Sequence, residues 1–182
     1  LTGAVPVHIK LEHEDQFKLT PEKLKAAITP KTKAILMNFP SNPTGGVMTR
    51  EDYAKLVPIL KEHEIIVISD EIYAELTYDG TFCSPANFNE IKDQVIIISG
   101  FSKAYAMTGW RIGYLVAPEP GDIKKMAQLQ EGVASCVSTF TQAAAVEAVT
   151  VAMAAAADAT TTAMAATAAN SGKIAGRTFA SS

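Results

Sequence analysis

Residues 95–118 read VIIISGFSKAYAMTGWRIGYLVAP, and a short apolar run stands at each end of this stretch. Residues 95–99 and 114–117 are rich in β-branched or aromatic side chains and are bounded by glycine or proline, which is typical of strands. Further upstream, residues 33–39 (KAILMNF) and 65–69 (IIVIS) have the same character. We therefore predict four strands.

Amphipathic stretches separate these runs and predict helices. Thr20 followed by Pro21 is typical of a helix start, because proline is well tolerated at the first helical position. Thr49 and Asp52 form a weak capping box before apolar side chains that fall on one helical face. Residues 121–149 predict one long helix or two. Uniformly apolar strands that alternate with helices predict an α/β fold, with a mostly parallel sheet flanked by helices on both faces.

The composition is that of a soluble globular protein and argues against several classes of function. Apolar residues make up 48% of the 182 residues and charged residues 19%. The net charge of −3 lacks the basic surplus of a nucleic-acid-binding protein, so we expect no nucleic-acid partner. No apolar run comes close to the roughly 20 residues that span a bilayer, so we expect no membrane partner. The three histidines are scattered, and we expect no metal site.

The cysteines, the first residue and an alanine-rich stretch indicate the cellular compartment and the completeness of the chain. Cys83 and Cys136 are far apart and form no CxxC pair, so we expect no disulfide framework and a cytoplasmic location. Leu1 stands where an initiator Met is usual, and we expect the chain to be incomplete or trimmed. Between Ala143 and Ala169, 15 of the 27 residues are alanine. We expect that residue identities in this stretch are misassigned or that the chain is joined across missing segments; the alternative is a genuine alanine-rich helix, which would be a weak core element.

Four polar segments stand at or near the ends of the predicted strands, where open α/β sheets bind their ligands. They are residues 42–45 (NPTG), 69–73 (SDEIY), 99–103 (SGFSK) and 107–111 (MTGWR). Each alone also fits a turn, a helix cap or a surface charge. Together, their order and spacing resemble the signature of the fold-type I pyridoxal-phosphate enzymes. The pattern is most similar to the class I/II aminotransferases, in the bacterial subgroup of aspartate and aromatic aminotransferases.

The resemblance implies pyridoxal 5′-phosphate as cofactor and three catalytic residues, Lys103, Asp70 and Tyr73. Lys103 resembles the lysine that holds the cofactor as a Schiff base and later moves a proton at the substrate α-carbon. Asp70 resembles the carboxylate that keeps the pyridine nitrogen protonated, so that the ring can accept electrons. Asn42 and Tyr73 resemble the two groups that hydrogen-bond the phenolic oxygen of the ring.

The resemblance also implies ligands for the cofactor phosphate and for the substrate. Ser102 and Arg111 are similar to the family's phosphate ligands, the arginine through a bidentate charge-assisted contact. Ser99 is a third candidate for the phosphate. Arg177, near the end of the chain, resembles the arginine that grips the substrate α-carboxylate.

Members of this family are longer than this chain and are typically homodimers with a second, smaller domain. We therefore expect residues 1–149 to be a partial cofactor-binding domain with the start of a connecting helix. Residues 150–182 are expected to be an alanine-rich tail with a remnant of the small domain. The implied function is amino-group transfer between an amino acid and a 2-oxo acid. Two alternatives stay open: a carbon–sulfur lyase with the same cofactor and fold, and a non-catalytic pyridoxal-phosphate-binding regulatory domain.

Overall fold

A computed structural model of the protein describes residues 3–156. The chain divides into two compact units, Leu1–Val137 and Ser138–Ser182. The helices and strands of the first unit are, in chain order, α1 (Pro21–Ala27), β1 (Ala34–Asn38), α2 (Arg50–Glu62), β2 (Ile66–Asp70), β3 (Val95–Gly100), β4 (Gly113–Val116) and α3 (Pro120–Ala134). All four predicted strands are therefore present.

The four strands form one sheet in the order β1-β2-β3-β4. β1, β2 and β3 are parallel, and β4 runs antiparallel to β3. Asn38 pairs in register with Asp70, and Asp70 with Ile98. The predicted fold class, a mostly parallel sheet with helices, is confirmed. Because the three parallel strands end at the same edge, the loops that follow β1, β2 and β3 all begin there.

The two helices whose starts were predicted begin where the sequence indicates. The Thr20 side chain accepts a hydrogen bond from the backbone N–H of Lys23 (3.4 Å) before α1. At α2, Thr49 accepts from the N–H of Asp52 (3.2 Å), and the Asp52 carboxylate accepts from the N–H of Thr49 (2.9 Å). This reciprocal pair satisfies two backbone donors that a helix start otherwise leaves unbonded.

The hydrophobic core lies between α1, α2 and one face of the sheet, where Leu24, Leu56, Leu60, Met37 and Val67 are almost fully buried. The opposite face differs from the expectation that the strands are buried on both sides. Within residues 3–156, Leu36, Ile66 and Ile98 on that face are 71%, 43% and 38% exposed. Helices α1 and α2 both pack on the core face, so the apolar side chains of the strands are buried on that face of the sheet.

The segment predicted as one helix or two contains two helices. α3 ends at Ala134, and α4 (Thr139–Ala156) is the described part of the second unit. The expectation that no apolar run reaches membrane-spanning length is wrong for α4, whose 18 residues have a mean hydropathy of 1.3. The reason is its composition, because alanine and valine dominate and Glu147 is its one charged residue. Length and composition alone are weak evidence for a membrane span.

Candidate active site

Three of the predicted site residues meet beyond the carboxyl ends of the parallel strands. Asn42 lies in the loop after β1, Tyr73 in the turn after β2, and Lys103 in the loop after β3. The Asn42 side-chain amide donates a hydrogen bond to the Tyr73 hydroxyl (3.1 Å), although 31 positions separate the two residues. The Lys103 Nζ lies 5.5 Å from the centroid of the Tyr73 ring. The fold thus brings together residues from three separate loops.

Asp70, the last residue of β2, shapes the turn that leads to Tyr73. Its Oδ1 accepts a hydrogen bond from the backbone N–H of Ile72 (3.2 Å). An aspartate that bonds the N–H two residues on stabilises a tight turn in place of further strand. The carboxylate is half-buried at the same edge of the sheet as Asn42 and Tyr73.

Asn38, which no sequence pattern singled out, connects the loops after β1 and β2. Its Nδ2 donates to the backbone oxygen of Asp70 (3.4 Å), and its Oδ1 accepts from the backbone N–H of Asn42 (3.2 Å). One side chain therefore touches the backbone of two predicted site residues. The available signal was a polar residue at the end of an apolar strand, directly before the NPTG segment.

The loop between β3 and β4 carries Lys103 and the predicted phosphate ligands Ser102 and Arg111. Thr108 joins these two ligands, because its hydroxyl donates to the backbone oxygen of Ser102 (2.9 Å) and its own backbone oxygen accepts from Nη1 of Arg111 (2.9 Å). Arg111 has a φ of 51°. Left-handed backbone at a residue other than glycine is uncommon and clusters at functional sites.

Two glycines allow β3 and β4 to approach closely at the base of this loop. Gly100 and Gly113 pair in register. A Cβ at Gly113 would lie 2.8 Å from the backbone oxygen of Ser99, and a Cβ at Gly100 would lie 2.9 Å from the Cα of Gly113. No side chain fits at either position without a shift of the backbone.

Ser99 and Glu71 contact each other on the core side of the sheet. The Ser99 hydroxyl lies 3.4 Å from the backbone oxygen of Glu71, a long distance for a hydroxyl donor. The Glu71 carboxylate is buried and accepts a hydrogen bond from the Ser84 hydroxyl (2.6 Å). Burial raises the pKa of the Glu71 carboxyl group; hydrogen bonds from Ser84 and Ser69 offset part of that rise, and the nearby charge of Asp70 adds to it.

The side chains at this edge fit pyridoxal phosphate group by group. The amine of Lys103 matches the aldehyde, and the carboxylate of Asp70 matches the pyridine nitrogen. The amide of Asn42 and the phenol of Tyr73 match the phenolic oxygen. The hydroxyl of Ser102 and the guanidinium of Arg111 match the phosphate. Within residues 3–156 no group of three potential metal-binding side chains is found. Arg177, the predicted substrate ligand, lies outside the described residues.

Residues 1–171 match the family model described as aminotransferase class I and II. Over 150 residues the chain is 45% identical to the aspartate aminotransferase of Geobacillus stearothermophilus, and 40% identical to aromatic-amino-acid aminotransferase 2 of Thermococcus litoralis. These alignments cover 81% and 82% of this chain. The chain spans 38% of the length of each of these relatives.

The solved structures that resemble this chain are aminotransferases as well. A double mutant of the aspartate aminotransferase of Thermus thermophilus superimposes with a TM-score of 0.78 at 39% identity, over 85% of this chain and 40% of that one. The aromatic aminotransferase of Pyrococcus horikoshii OT3 superimposes with a TM-score of 0.74 at 40% identity, over 78% of this chain and 38% of that one. The described sheet and helices thus correspond to the large domain of such enzymes.

Proposed function

Because the chain belongs to the class I and II aminotransferase family, we propose that the whole protein transfers an amino group between an amino acid and a 2-oxo acid. The enzymes of this family depend on pyridoxal phosphate, and we propose the same cofactor here. The observation that carries the proposal is the meeting of Asn42, Tyr73 and Lys103 beyond the carboxyl ends of three parallel strands. Amine, amide and phenol groups from separate loops converge there, as recognition of one small molecule requires.

Lys103 is the residue proposed to transfer the proton in the reaction. When bound, pyridoxal phosphate supplies an aldehyde that reacts with amines and a ring that accepts electrons. The Lys103 amine would hold the cofactor and then carry the proton at the α-carbon of the substrate. The Tyr73 ring, 5.5 Å away, attracts the ammonium form of the lysine and keeps Nζ beside the Asn42–Tyr73 pair.

Asp70, Asn42 and Tyr73 would orient the ring and set its charge. The Asp70 carboxylate would hold a proton on the pyridine nitrogen, because a negative partner favours the protonated form of a base. The Tyr73 hydroxyl accepts a hydrogen bond from Asn42. Its own hydrogen therefore remains available to donate to the phenolic oxygen of the cofactor.

Ser102 and Arg111 would bind the phosphate. The Arg111 guanidinium uses one N–H on the backbone oxygen of Thr108, and an arginine has five N–H donors in a planar fork. A bidentate contact with the phosphate therefore remains open to it, and the hydroxyl of Ser102 would add a third donor. We also propose Ser99 as a further phosphate ligand, on the likeness to the family alone, because its hydroxyl lies 3.4 Å from the backbone oxygen of Glu71 on the core side of the sheet.

The finer assignments rest on the likeness to the family. We propose that the protein is a cytoplasmic homodimer and that Arg177 binds the α-carboxylate of the substrate. Residues 1–149 would belong to the cofactor-binding domain, and residues 150–182 would include a remnant of the small domain. Amino acids and 2-oxo acids are the proposed substrates.

The first test maps the cofactor onto the chain. The intact polypeptide is incubated with pyridoxal phosphate, reduced with borohydride, weighed, and digested for peptide mapping. We expect one cofactor adduct on the peptide that contains Lys103 and none in Lys103→Ala. Lys124→Ala, which removes an exposed lysine of α3, is the matched control and should keep the adduct. A wild-type protein without an adduct at Lys103 contradicts the proposal.

Product analysis separates transamination from the alternatives. With an amino acid and a 2-oxo acid as substrates, we expect a new amino acid and a new 2-oxo acid in equal amounts. Ammonia and a thiol from a sulfur-containing amino acid would indicate a carbon–sulfur lyase instead. A protein that binds the cofactor at Lys103 and forms neither set of products would be a non-catalytic binding domain.

A further inference from the structure

Glu71 is a buried carboxyl group that stands between two predicted catalytic residues and has no part in the proposed chemistry. It directly follows Asp70, and the residue is 7% exposed. Side chains alternate along an extended strand, so Glu71 points to the core side, whereas Asp70 lies on the face that carries Ile98. Burial of a carboxyl group is costly unless hydrogen bonds compensate for the lost water.

The Glu71 carboxylate is bound by a turn that lies 13 positions further along the chain. The Ser84 hydroxyl donates to Oε1 of Glu71 over 2.6 Å. The same hydroxyl accepts from the backbone N–H of Ala86 (3.2 Å), and the Asn87 side chain accepts from the N–H of Ser84 (3.0 Å). Ser84 is itself buried, and its single hydroxyl hydrogen is used on Glu71. The carboxylate is therefore anchored to a turn whose capping hydrogen bonds are formed.

The backbone N–H and the backbone oxygen of Glu71 both form hydrogen bonds as well. Its N–H donates to the backbone oxygen of Ile98 (2.8 Å) in β3, which extends the pairing of β2 and β3 by one residue. Its backbone oxygen accepts from the N–H of Ala74 (3.0 Å), the residue after Tyr73. Glu71 thus links β3, the Ser84 turn and the turn that carries Asp70 and Tyr73.

We propose that Glu71 is a positioning residue: its contact with Ser84 fixes the turn from Asp70 to Tyr73, and so fixes where the Asp70 carboxylate and the Tyr73 hydroxyl meet the cofactor ring. The inference rests on the proposed function, because it assigns a role relative to that cofactor. Small displacements of positioned groups weaken binding and catalysis, and the partners behind them control such displacements.

Three variants separate positioning from simple stabilisation of the fold. Ser84→Ala removes the donor, Glu71→Met fills a similar volume without an acceptor, and Glu71→Gln keeps an oxygen that can accept from Ser84. Glu75→Gln, at an exposed position four residues further on, is the matched control. For each intact polypeptide three quantities are measured: the Kd for pyridoxal phosphate, the pH midpoint at which the absorption band of the bound cofactor changes, and the Tm without cofactor.

We expect Ser84→Ala and Glu71→Met to raise the Kd about tenfold, as loss of a positioning partner does at metal sites, and to shift the pH midpoint. Glu71→Gln should fall closer to wild type than either, and Glu75→Gln should match wild type. If Ser84→Ala does not fold, Glu71→Met carries the test, because it keeps the core packed.

Two outcomes overturn the proposal, and they are distinguishable. A lowered Tm with wild-type Kd and wild-type pH midpoint means that the Glu71–Ser84 contact only stabilises the fold. In that case the wild-type adduct at Lys103 is still found, and the proposed function stands. A wild-type protein that forms no adduct at Lys103 overturns the proposed function and this inference together.

Discussion

At the scale of single residues, short polar contacts decide how the predicted site is arranged. Asn38 bonds the backbone of Asp70 and of Asn42, and Thr108 bonds Ser102 and Arg111. Neither Asn38 nor Thr108 carries a group that the cofactor chemistry requires. Both contact residues that are proposed to carry such groups, as positioning side chains commonly do around a reactive centre.

Asp70→Asn tests the charge that the proposed chemistry requires at the end of β2. An amide has nearly the shape of the carboxylate and can still accept the N–H of Ile72, but it cannot hold a proton on the pyridine nitrogen. We expect kcat to fall by at least about a hundredfold, the lower range for loss of a group that acts on a proton, while the lysine adduct still forms. Steady-state kinetics measure this, with Asp93→Asn, at an exposed position, as control. Near-normal turnover by Asp70→Asn would show that the carboxylate has another role.

At the scale of secondary structure, the close approach of β3 and β4 determines where the lysine loop begins and ends. The last residue of β3, Gly100, pairs with the first residue of β4, Gly113. The two ends of the loop are therefore held next to each other. Residues 101–112 connect them and carry Lys103, Ser102 and Arg111. The position of the loop therefore depends on two residues that have no side chain.

Gly113→Ala should separate the strands at this point. The added Cβ would lie 2.8 Å from the backbone oxygen of Ser99, a distance that forces the backbone to move. We expect a loss of about 1–3 kcal/mol in the free energy of unfolding, as overpacking typically costs, and weaker binding of pyridoxal phosphate. Urea unfolding and a cofactor titration measure the two effects.

The matched control for that substitution is Gly121→Ala. A Cβ at Gly121 meets no atom within 4 Å, and alanine in a helix is more favourable than glycine by up to about 1 kcal/mol. This variant should be as stable as wild type or more stable. Wild-type stability and affinity in Gly113→Ala would mean that β3 and β4 tolerate a wider spacing than their pairing implies.

At the scale of the whole molecule, the first unit buries one face of its sheet under α1 and α2 and exposes apolar side chains on the other. The second face carries Leu36, Ile66 and Ile98. Leu36 pairs with Ile68 and Ile98 pairs with Asp70, and both partners share a face with Ile66 because residues two positions apart on a strand point to the same side. Exposed apolar patches of this kind promote association. The candidate site lies at the carboxyl end of the same sheet.

We therefore expect the 182-residue chain by itself to self-associate through this face. Burial of a leucine contributes about 1.5–3 kcal/mol, so Leu36→Lys should weaken association by roughly tenfold or more. Sedimentation equilibrium over a range of concentrations measures this. Leu129→Lys, which changes an exposed leucine of α3, should leave association unchanged. Equal association constants for wild type and Leu36→Lys would exclude this face as the contact.

The sequence by itself determined the four strands, the starts of the first two helices and the candidates for the site residues. Apolar runs and caps are local signals, and strands β1 to β4 and the starts of α1 and α2 follow from side chains only a few positions apart. The family signature identified Lys103, Asp70 and Asn42 as candidates because the chemistry of the cofactor demands those groups. Hydropathy read along the chain did not single out α4, because Gln142, Glu147 and Thr150 interrupt its apolar residues, so that its apolar character emerges only over the whole helix.

Only the tertiary structure decided which residues touch. The Asn42–Tyr73 bond spans 31 positions and the Glu71–Ser84 bond spans 13; no local pattern encodes either, because each depends on how strands and turns pack. The same holds for the sheet, since uniformly apolar strands indicate burial without indicating which face a helix covers. Chemical identity is a property of each residue, whereas contact is a property of the packed chain, and the role proposed for Glu71 depends on contact alone.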